Sequence, residues 1–394
     1  MDINVYLAFA GILLILSVFA NQISSKFGIP SLLLFLGLGM FAGIVGHINF
    51  TDTGLTNHVG IIALIFILFN GGLLTSWKTA KNDLGRGITL ATLGVFITAG
   101  CVAAGCYYLL KMPFEISLLL GTIVSSTDAP AVFSLLKMSK ICLSPRVRSI
   151  LEFESASNDP AAVLLTTAAM SYAVQPDLNF DWLADFFFEQ ILIGLGFGLL
   201  FGYVSRYMLR RVRFSYLGLY PVFSIAVALL AYSLPQMLGG SGFLSVYICG
   251  IFIGNTAFLY RRSFLRFNDS INWIMQISIF LILGLLVKPR HVMVLLPSAL
   301  EIALLLILVA RPLAVFVCLF KSRFSYTRQT IIAWAGLKGA VPIILATYPL
   351  MQNLPHAQYI FNLVFFLVTI SVLVQGTALP VLADWLIPPG KEKK

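Results

Sequence analysis

Long apolar segments, separated by short polar connections, follow one another along almost the whole chain. A helix needs roughly 20 apolar residues to cross the hydrocarbon core of a bilayer, and these segments reach that length. The pattern predicts an all-α integral membrane protein of about thirteen membrane-spanning helices. The predicted spans are residues 5–23, 30–46, 59–77, 86–110, 113–137, 147–174, 182–211, 216–238, 241–259, 268–287, 292–320, 325–350 and 357–386.

Composition supports the same class of protein. Of the 394 residues, 59% are hydrophobic and 11% are charged, whereas soluble domains carry roughly 25% charged residues. An ordinary soluble enzyme is therefore excluded. No cofactor is expected, because the cysteines and histidines show no metal-ligand spacing. Small packing roles are expected for Gly194, Gly198 and Gly202, which lie four residues apart on one span, and for the cysteines Cys101, Cys106, Cys142, Cys249 and Cys318.

The net charge of +10 does not indicate a nucleic-acid partner, because the basic residues alternate from loop to loop. Most Lys and Arg residues fall in one alternating set of loops, and the other set contains only Lys111, Lys288 and Arg290. Basic loops mark the cytoplasmic side of a membrane protein. The distribution predicts a multi-pass protein of the inner or plasma membrane, with its N-terminus outside and residues 387–394 as a cytoplasmic tail.

A few charged residues lie inside apolar spans. Each costs roughly 2.5–3.5 kcal/mol at the centre of a membrane helix. A single such charge is explained by a buried ion pair, but five of them in apolar surroundings favour a functional interior. They are Asp128, Glu154, Asp159, Arg311 and Lys338.

Two of these charges occur where a helix is expected to break. Pro130 follows a polar run at residues 125–128, and glycines flank Lys338 before Pro342. The first segment alone is also compatible with a simple proline kink. Because the breaks near 125–130 and 336–342 fall in the fifth and twelfth spans, they occupy equivalent positions in two inverted six-helix repeats, as in transporters. Asp128 is expected to offset exposed helix N-termini and Lys338 exposed C-termini.

The sixth span separates two acidic residues. Ser155 and Asp159 share a helix face, whereas Glu154 lies roughly 140° around the axis from Asp159. Ser155 and Asp159 are therefore assigned to a cavity, and Glu154 to an ion pair with Arg311. Asn158 either supplies an amide oxygen to that cavity or braces the neighbouring helix.

These segments resemble the cation:proton antiporter superfamily, and specifically its NhaP-type sodium or potassium/proton antiporters. The resemblance spans essentially the whole chain. It is carried by residues 126–130, 153–160, 311–312 and 336–342. It implies that Asp159, Asp128, Thr127 and Ser155 surround a monovalent metal cation, and that the pair Asn158-Asp159 is the form typical of electroneutral members.

The resemblance also implies a division of the chain into two bodies, one of which is a scaffold that forms a homodimer. Two departures from the family pattern stand out. Asn70 occupies a position where many relatives have an acid, and it is kept as an accessory site residue. Lys338 stands where relatives usually have arginine. The implied division is residues 1–85 and 216–287 as scaffold, 86–174 and 292–386 as mobile core, and 182–211 as a linking helix.

The function predicted on these grounds is secondary antiport of K⁺ or Na⁺ against H⁺, with cation and proton competing for Asp159. The residues of these motifs are most similar to those of potassium/proton members, but the sequence does not determine which ion is transported. A sodium- or proton-coupled symporter of a small organic anion is the main alternative. A channel and a membrane sensor are weaker alternatives, since no filter repeat or soluble output domain is evident in this sequence.

Overall fold

The computed structural model describes residues 3–27, 30–45, 53–77, 83–138, 143–212, 214–287, 295–322 and 324–386. Every regular element in those ranges is helical. The predicted tail at 387–394 and Cys142 lie outside the described residues. We number the helices α1 to α13 by passage of the chain, and use a and b for the two halves of a broken helix.

The helices follow the predicted order, and two of them are broken as predicted. Helices α4 and α11 each contain a π-helical turn in the middle. The bounds are α1 Ile3–Phe27, α2 Ser31–Val45, α3 Thr53–Leu74, α4 Leu84–Thr89 with Leu90–Gly94 and Val95–Tyr108, α5a Phe114–Ile123, α5b Ala129–Met138, α6 Pro145–Val174, α7 Phe180–Arg211, α8 Leu219–Met237, α9 Gly242–Gly254, α10 Arg261–Leu286, α11 Leu296–Leu305 with Leu306–Ala310 and Arg311–Cys318, α12a Tyr326–Trp334, α12b Ala340–Leu345 followed by the short turn Tyr348–Met351, and α13 Ala357–Leu386.

Eight helices in the described part of the chain are long and apolar enough to cross a membrane. Four shorter apolar stretches belong to α2, α5a, α9 and α12b. Helix α6 is 30 residues long, but it carries the polar segment around Asp159. The all-helical membrane fold is therefore confirmed, and the number of crossings stays a prediction.

The junction between α9 and α10 differs from its predicted position. Helix α9 ends at Gly254, before the predicted 259, and α10 begins at Arg261, before the predicted 268. Tyr260 precedes α10 in a left-handed conformation with φ 64°, and the Arg261 Nη2 atom donates to the Gly254 carbonyl oxygen at 2.6 Å. The first turns of α10 are polar. A prediction based on hydrophobicity therefore puts the start of this helix too late in the chain.

Glycines set the closest helix crossings. A Cβ at Gly39 of α2 would lie 3.0 Å from the Cα of Gly284 of α10. A Cβ at Gly72 of α3 would likewise lie 3.0 Å from the Cα of Gly250 of α9. Both pairs of backbones are therefore in direct contact, and no other residue fits at these four positions without moving a helix.

The glycine stripe of α7 also packs as the sequence predicted. A Cβ at Gly194 would meet the Ser241 carbonyl oxygen at 2.7 Å, and one at Gly202 would meet the Phe252 side chain at 2.7 Å. Gly198 makes a similar approach to Ile248 between them. The stripe is therefore the contact surface of α7 with α9.

Candidate functional site

The two broken helices meet at their breaks. Helix α5 is interrupted between Ile123 and Ala129, and α12 between Trp334 and Ala340. The Asp128 amide donates to the Leu337 carbonyl oxygen at 2.8 Å, which joins the two unwound segments through their backbones. A Cβ at Gly339 would overlap the Asp128 carboxylate, so glycine is needed for this approach.

Each break carries a charge that contacts an exposed helix end. The Lys338 Nζ atom donates to the carbonyl oxygens of Ser126 at 2.9 Å and Ser125 at 3.4 Å, just after the C-terminus of α5a. The Asp128 Oδ1 atom accepts a hydrogen bond from the Ala131 amide at 3.2 Å, at the N-terminus of α5b. These are the helix ends that the sequence assigned to each charge, where a cation and an anion respectively are favourable.

Helix α6 holds the α5 break in place. The Ser155 hydroxyl donates to the Thr127 carbonyl oxygen at 2.8 Å and accepts from the Ala129 amide at 2.9 Å. The Asn158 Nδ2 atom donates to the Thr127 hydroxyl at 2.6 Å. Two roles were left open for Asn158, and this hydrogen bond supports the second, in which Asn158 braces the neighbouring helix. Its Oδ1 atom has no hydrogen-bond partner among the described residues.

Asp159 lies one helical turn beyond Ser155, on the wall of a cavity of about 490 Å³. The cavity extends to the exposed residues Arg148 and Asp269 at one end. Both Asp159 and Asp128 are partly accessible in this cavity. Water and a small cation therefore have a route to Asp159.

Most of the predicted site residues line this cavity. Thr127, Asp128, Ser155 and Asp159 face it from the broken and central helices, and Asn70 faces it from α3. The Asn70 Oδ1 atom is buried and has no hydrogen-bond partner in the described part of the chain. Asn158 does not line the cavity and reaches it through Thr127.

The other buried acid belongs to a separate pair. Arg311 Nη1 contacts Glu154 Oε1, and both side chains are almost completely buried. Arg311 Nη2 also lies 3.4 Å from the Ile332 carbonyl oxygen. A Cβ at Gly336 would overlap the Arg311 side chain, so the α12 break leaves room for the pair. The ion pair predicted from the sequence is present.

Sequence reasoning missed Ser126 as a lining residue. Its hydroxyl is buried and has no hydrogen-bond partner among the described residues, and Ser126 and Asp159 line the same cavity. It also missed the polar face of α10, where Asp269, Asn272 and Gln276 line the cavity. The three- and four-residue spacing of that face was a usable signal for an amphipathic helix. For Ser126 the signal was ambiguous, because side-chain directions in an unwound segment do not follow helix spacing.

Within the described ranges, no group of three or more His, Cys, Asp or Glu side chains could hold a metal ion. Asp159 and Asp128 line the cavity together with the hydroxyl-bearing residues Ser126, Thr127 and Ser155. Such a set suits a hard, weakly held monovalent cation. Two broken helices that meet beside a carboxylate on the wall of an interior cavity define the class of protein, which is a secondary transporter.

Comparison with known proteins gives the family. The profile described as "Sodium/hydrogen exchanger, transmembrane" matches residues 12–385, and the chain belongs to this family. It is 38% identical over 387 residues to the "K(+)/H(+) antiporter NhaP" of Alkalimonas amylolytica, covering 98% of this chain and 67% of that protein. It is 41% identical to the "K(+)/H(+) antiporter NhaP2" of Shewanella sp. (strain ANA-3), covering 98% and 68%.

A solved structure shares the fold. The sodium proton antiporter MjNhaP1 from Methanocaldococcus jannaschii at pH 8 superposes with a TM-score of 0.85 at 24% identity, covering 96% of this chain and all of that one. The predicted resemblance and the predicted membrane fold are both confirmed. The chain is a transporter and not an enzyme.

Proposed function

We propose that this protein exchanges a monovalent cation, K⁺ or Na⁺, for protons by letting the two compete for Asp159. The observation that carries the proposal is the Asp159 carboxylate on the wall of a cavity that reaches the exposed end of α6. The names of the relatives that are 38% and 41% identical support K⁺ as the first ion to test.

The chemistry requires one group that holds either ion but not both. A carboxylate is neutralised by a proton or by a monovalent cation, and in either form it can pass through a low-dielectric barrier. The empty, charged carboxylate crosses poorly, because its desolvation is costly. One carboxylate that carries one charge in each direction gives electroneutral 1:1 exchange.

The bound cation would take oxygen ligands from the two inner elements of the site. Asp159 and Ser155 supply them from α6, and Asp128, Thr127 and the unpartnered Ser126 hydroxyl from the α5 break. Two further residues complete the arrangement. Asn158 holds Thr127 in place, and Asn70 is an accessory oxygen donor on the opposite wall.

Transport requires that the site face each side in turn. We assign residues 86–174 and 292–386 to a core that moves against a scaffold of 1–85 and 216–287, with 182–211 between the repeats. Away from the cavity, the buried Thr347 hydroxyl of the proposed core lies 3.3 Å from the Asn57 amide oxygen of the proposed scaffold.

The open end of the cavity lies beside Arg148, on the side assigned to the cytoplasm by the basic loops. The proposed unit is a homodimer in the plasma membrane.

The test is proton flux in tight proteoliposomes, monitored with a pH-sensitive dye while K⁺ or Na⁺ is added. Asp159→Asn should abolish cation-driven proton movement. Asp181→Asn, which removes an exposed carboxylate in the first turn of α7, is the matched control and should leave the flux unchanged.

Unchanged flux in Asp159→Asn would contradict the role of Asp159. A wild-type protein that moves protons with neither ion in tight vesicles would contradict antiport altogether and favour the symporter reading. A flux that changes sign with membrane voltage alone would contradict electroneutral exchange.

A further inference from the structure

A chain of buried hydrogen bonds runs from α13 into the break of α12. Trp334 is the last residue of α12a, so its carbonyl oxygen has no partner within that helix. The Gln375 Nε2 atom of α13 donates to this oxygen at 3.0 Å. In return the Trp334 Nε1 atom lies 3.3 Å from the Gln375 carbonyl oxygen.

The same glutamine reaches the far side of the break through a serine. The Ser371 hydroxyl donates to Gln375 Oε1 at 2.6 Å and accepts from the Lys338 amide at 3.2 Å. Ser371 is 0% exposed, and Gln375 and Lys338 are each 1% exposed. Two side chains of α13 therefore satisfy a backbone group at each end of the unwound segment.

Lys338 extends the chain into the other break. Its backbone amide is held by Ser371, while its ammonium group donates to the carbonyl oxygens of Ser125 and Ser126. Those two residues immediately precede Thr127 and Asp128. The Asp128 amide returns to the Leu337 carbonyl oxygen, which closes a ring of contacts between the breaks.

We propose that Ser371 and Gln375 are positioning residues for cation binding, which they support by fixing Lys338 and, through it, the α5 break beside Asp159. The inference rests on the exchange at Asp159 proposed above. Neither side chain lines the cavity, so neither touches the cation directly. They act by keeping buried backbone groups paired, since an unpaired group in this interior would pull the segment toward another partner.

The test is the kinetics of cation-driven proton flux in proteoliposomes for Ser371→Ala and Gln375→Met. Each change removes the hydrogen bonds of the side chain and puts an apolar side chain in its place on α13. We expect the apparent KM for the transported cation to rise by roughly three- to tenfold, because the net contribution of a hydrogen bond corresponds to a factor of this size, while the maximal rate changes by less than about twofold. Ser371→Thr, which keeps the hydroxyl, should restore the KM.

The matched control is Thr369→Val on the same helix. The Thr369 hydroxyl donates only to the Phe365 carbonyl oxygen of its own helix, at 2.9 Å. It should leave the KM unchanged. If Ser371→Ala does not yield folded protein, Gln375→Met carries the same measurement.

Hydrogen–deuterium exchange separates positioning from a local packing role. In Ser371→Ala we expect faster amide exchange both in the peptide covering 335–339 and in the one covering 124–128. Faster exchange in the first peptide alone would overturn the proposed coupling through Lys338. If the wild type shows normal cation/proton exchange and the KM is unchanged in both variants, the proposed coupling is also overturned. If the wild type shows no cation/proton exchange, the function proposed above is overturned, and this inference with it.

Discussion

In its middle part, helix α6 carries the carboxylates of Glu154 and Asp159, five residues apart and with opposite surroundings. Glu154 contacts Arg311 and is 1% exposed, outside the lining of the cavity. Asp159 lies on the cavity wall, with Ser126 nearby and no ion pair among the described residues. The helical repeat alone separates them, because five residues turn the side chain by roughly 140°.

One helix can therefore hold both a fixed charge and an exchangeable one. A buried acid with a permanent basic partner has no reason to release or accept a counter-ion. A buried acid that faces water without such a partner must be neutralised by something from solution, either a proton or a cation. The following variants test whether this difference in surroundings accounts for the difference in role.

The largest effect is expected from breaking the fixed pair. Arg311→Met leaves Glu154 buried and uncompensated, and should destabilise the protein by about 3–5 kcal/mol. The melting temperature in detergent, monitored by size-exclusion chromatography, measures this loss of stability. The double variant Glu154→Gln/Arg311→Met should recover most of the loss. Equal melting temperatures for the single and double variants would show that the pair is not what holds Glu154.

The second effect concerns the approach of the two breaks. In Gly339→Ala the added methyl group meets the Asp128 carboxylate, and overpacking of this kind costs about 1–3 kcal/mol. Exchange should fall by about ten- to a hundredfold in proteoliposomes. Gly100→Ala is the control, because nothing lies within 4 Å of a Cβ at that exposed position. Normal exchange in Gly339→Ala would mean that the close contact with Asp128 is dispensable.

A third variant gives the cavity a further acid. Asn70→Asp places a carboxylate on the wall of the cavity formed by α3 and should lower the apparent KM for the cation by about tenfold, because an added negative charge a few ångströms away attracts it by about 1–4 kcal/mol. Initial rates of flux against cation concentration measure this. Asn70→Ala separates the loss of the amide oxygen from the gain of charge. A KM that rises or stays constant in Asn70→Asp would place Asn70 outside the range of the bound ion.

The smallest effect is expected at Ser157, which lies on α6 between Glu154 and Asp159. The Ser157 hydroxyl oxygen lies 2.9 Å from the Tyr247 hydroxyl oxygen of α9, across the proposed boundary between core and scaffold. Tyr247→Phe should raise the maximal rate by about two- to fivefold with an unchanged KM, because this contact must break in the proposed movement of α6. Ser157→Ala should do the same, and the double variant should add nothing. A lowered maximal rate would indicate that the hydroxyl pair supports the moving state.

The breaks and the ion pair were predictable because their signals are local. Pro130 and the glycines around Lys338 disfavour continuous helix, and helix spacing alone separated Glu154 from Asp159. The roles of Ser371 and Gln375 were not predictable, since two polar residues in an apolar span become informative only when the facing backbone is known to be unwound. The π-helical turn Leu306–Ala310, directly before Arg311, was likewise not predicted, because the surrounding residues read as a continuous apolar helix.

The glycine crossings have a consequence for experiments that survey every substitution. Gly39, Gly72, Gly250 and Gly284 each face another backbone so closely that a methyl group does not fit, yet none of the four lines the cavity. A saturation screen for growth would therefore rank these positions among the least tolerant in the chain. Intolerance in such a map would report the close packing of α2 with α10 and of α3 with α9, and only assays that separate protein abundance from ion flux would distinguish these glycines from Asp159.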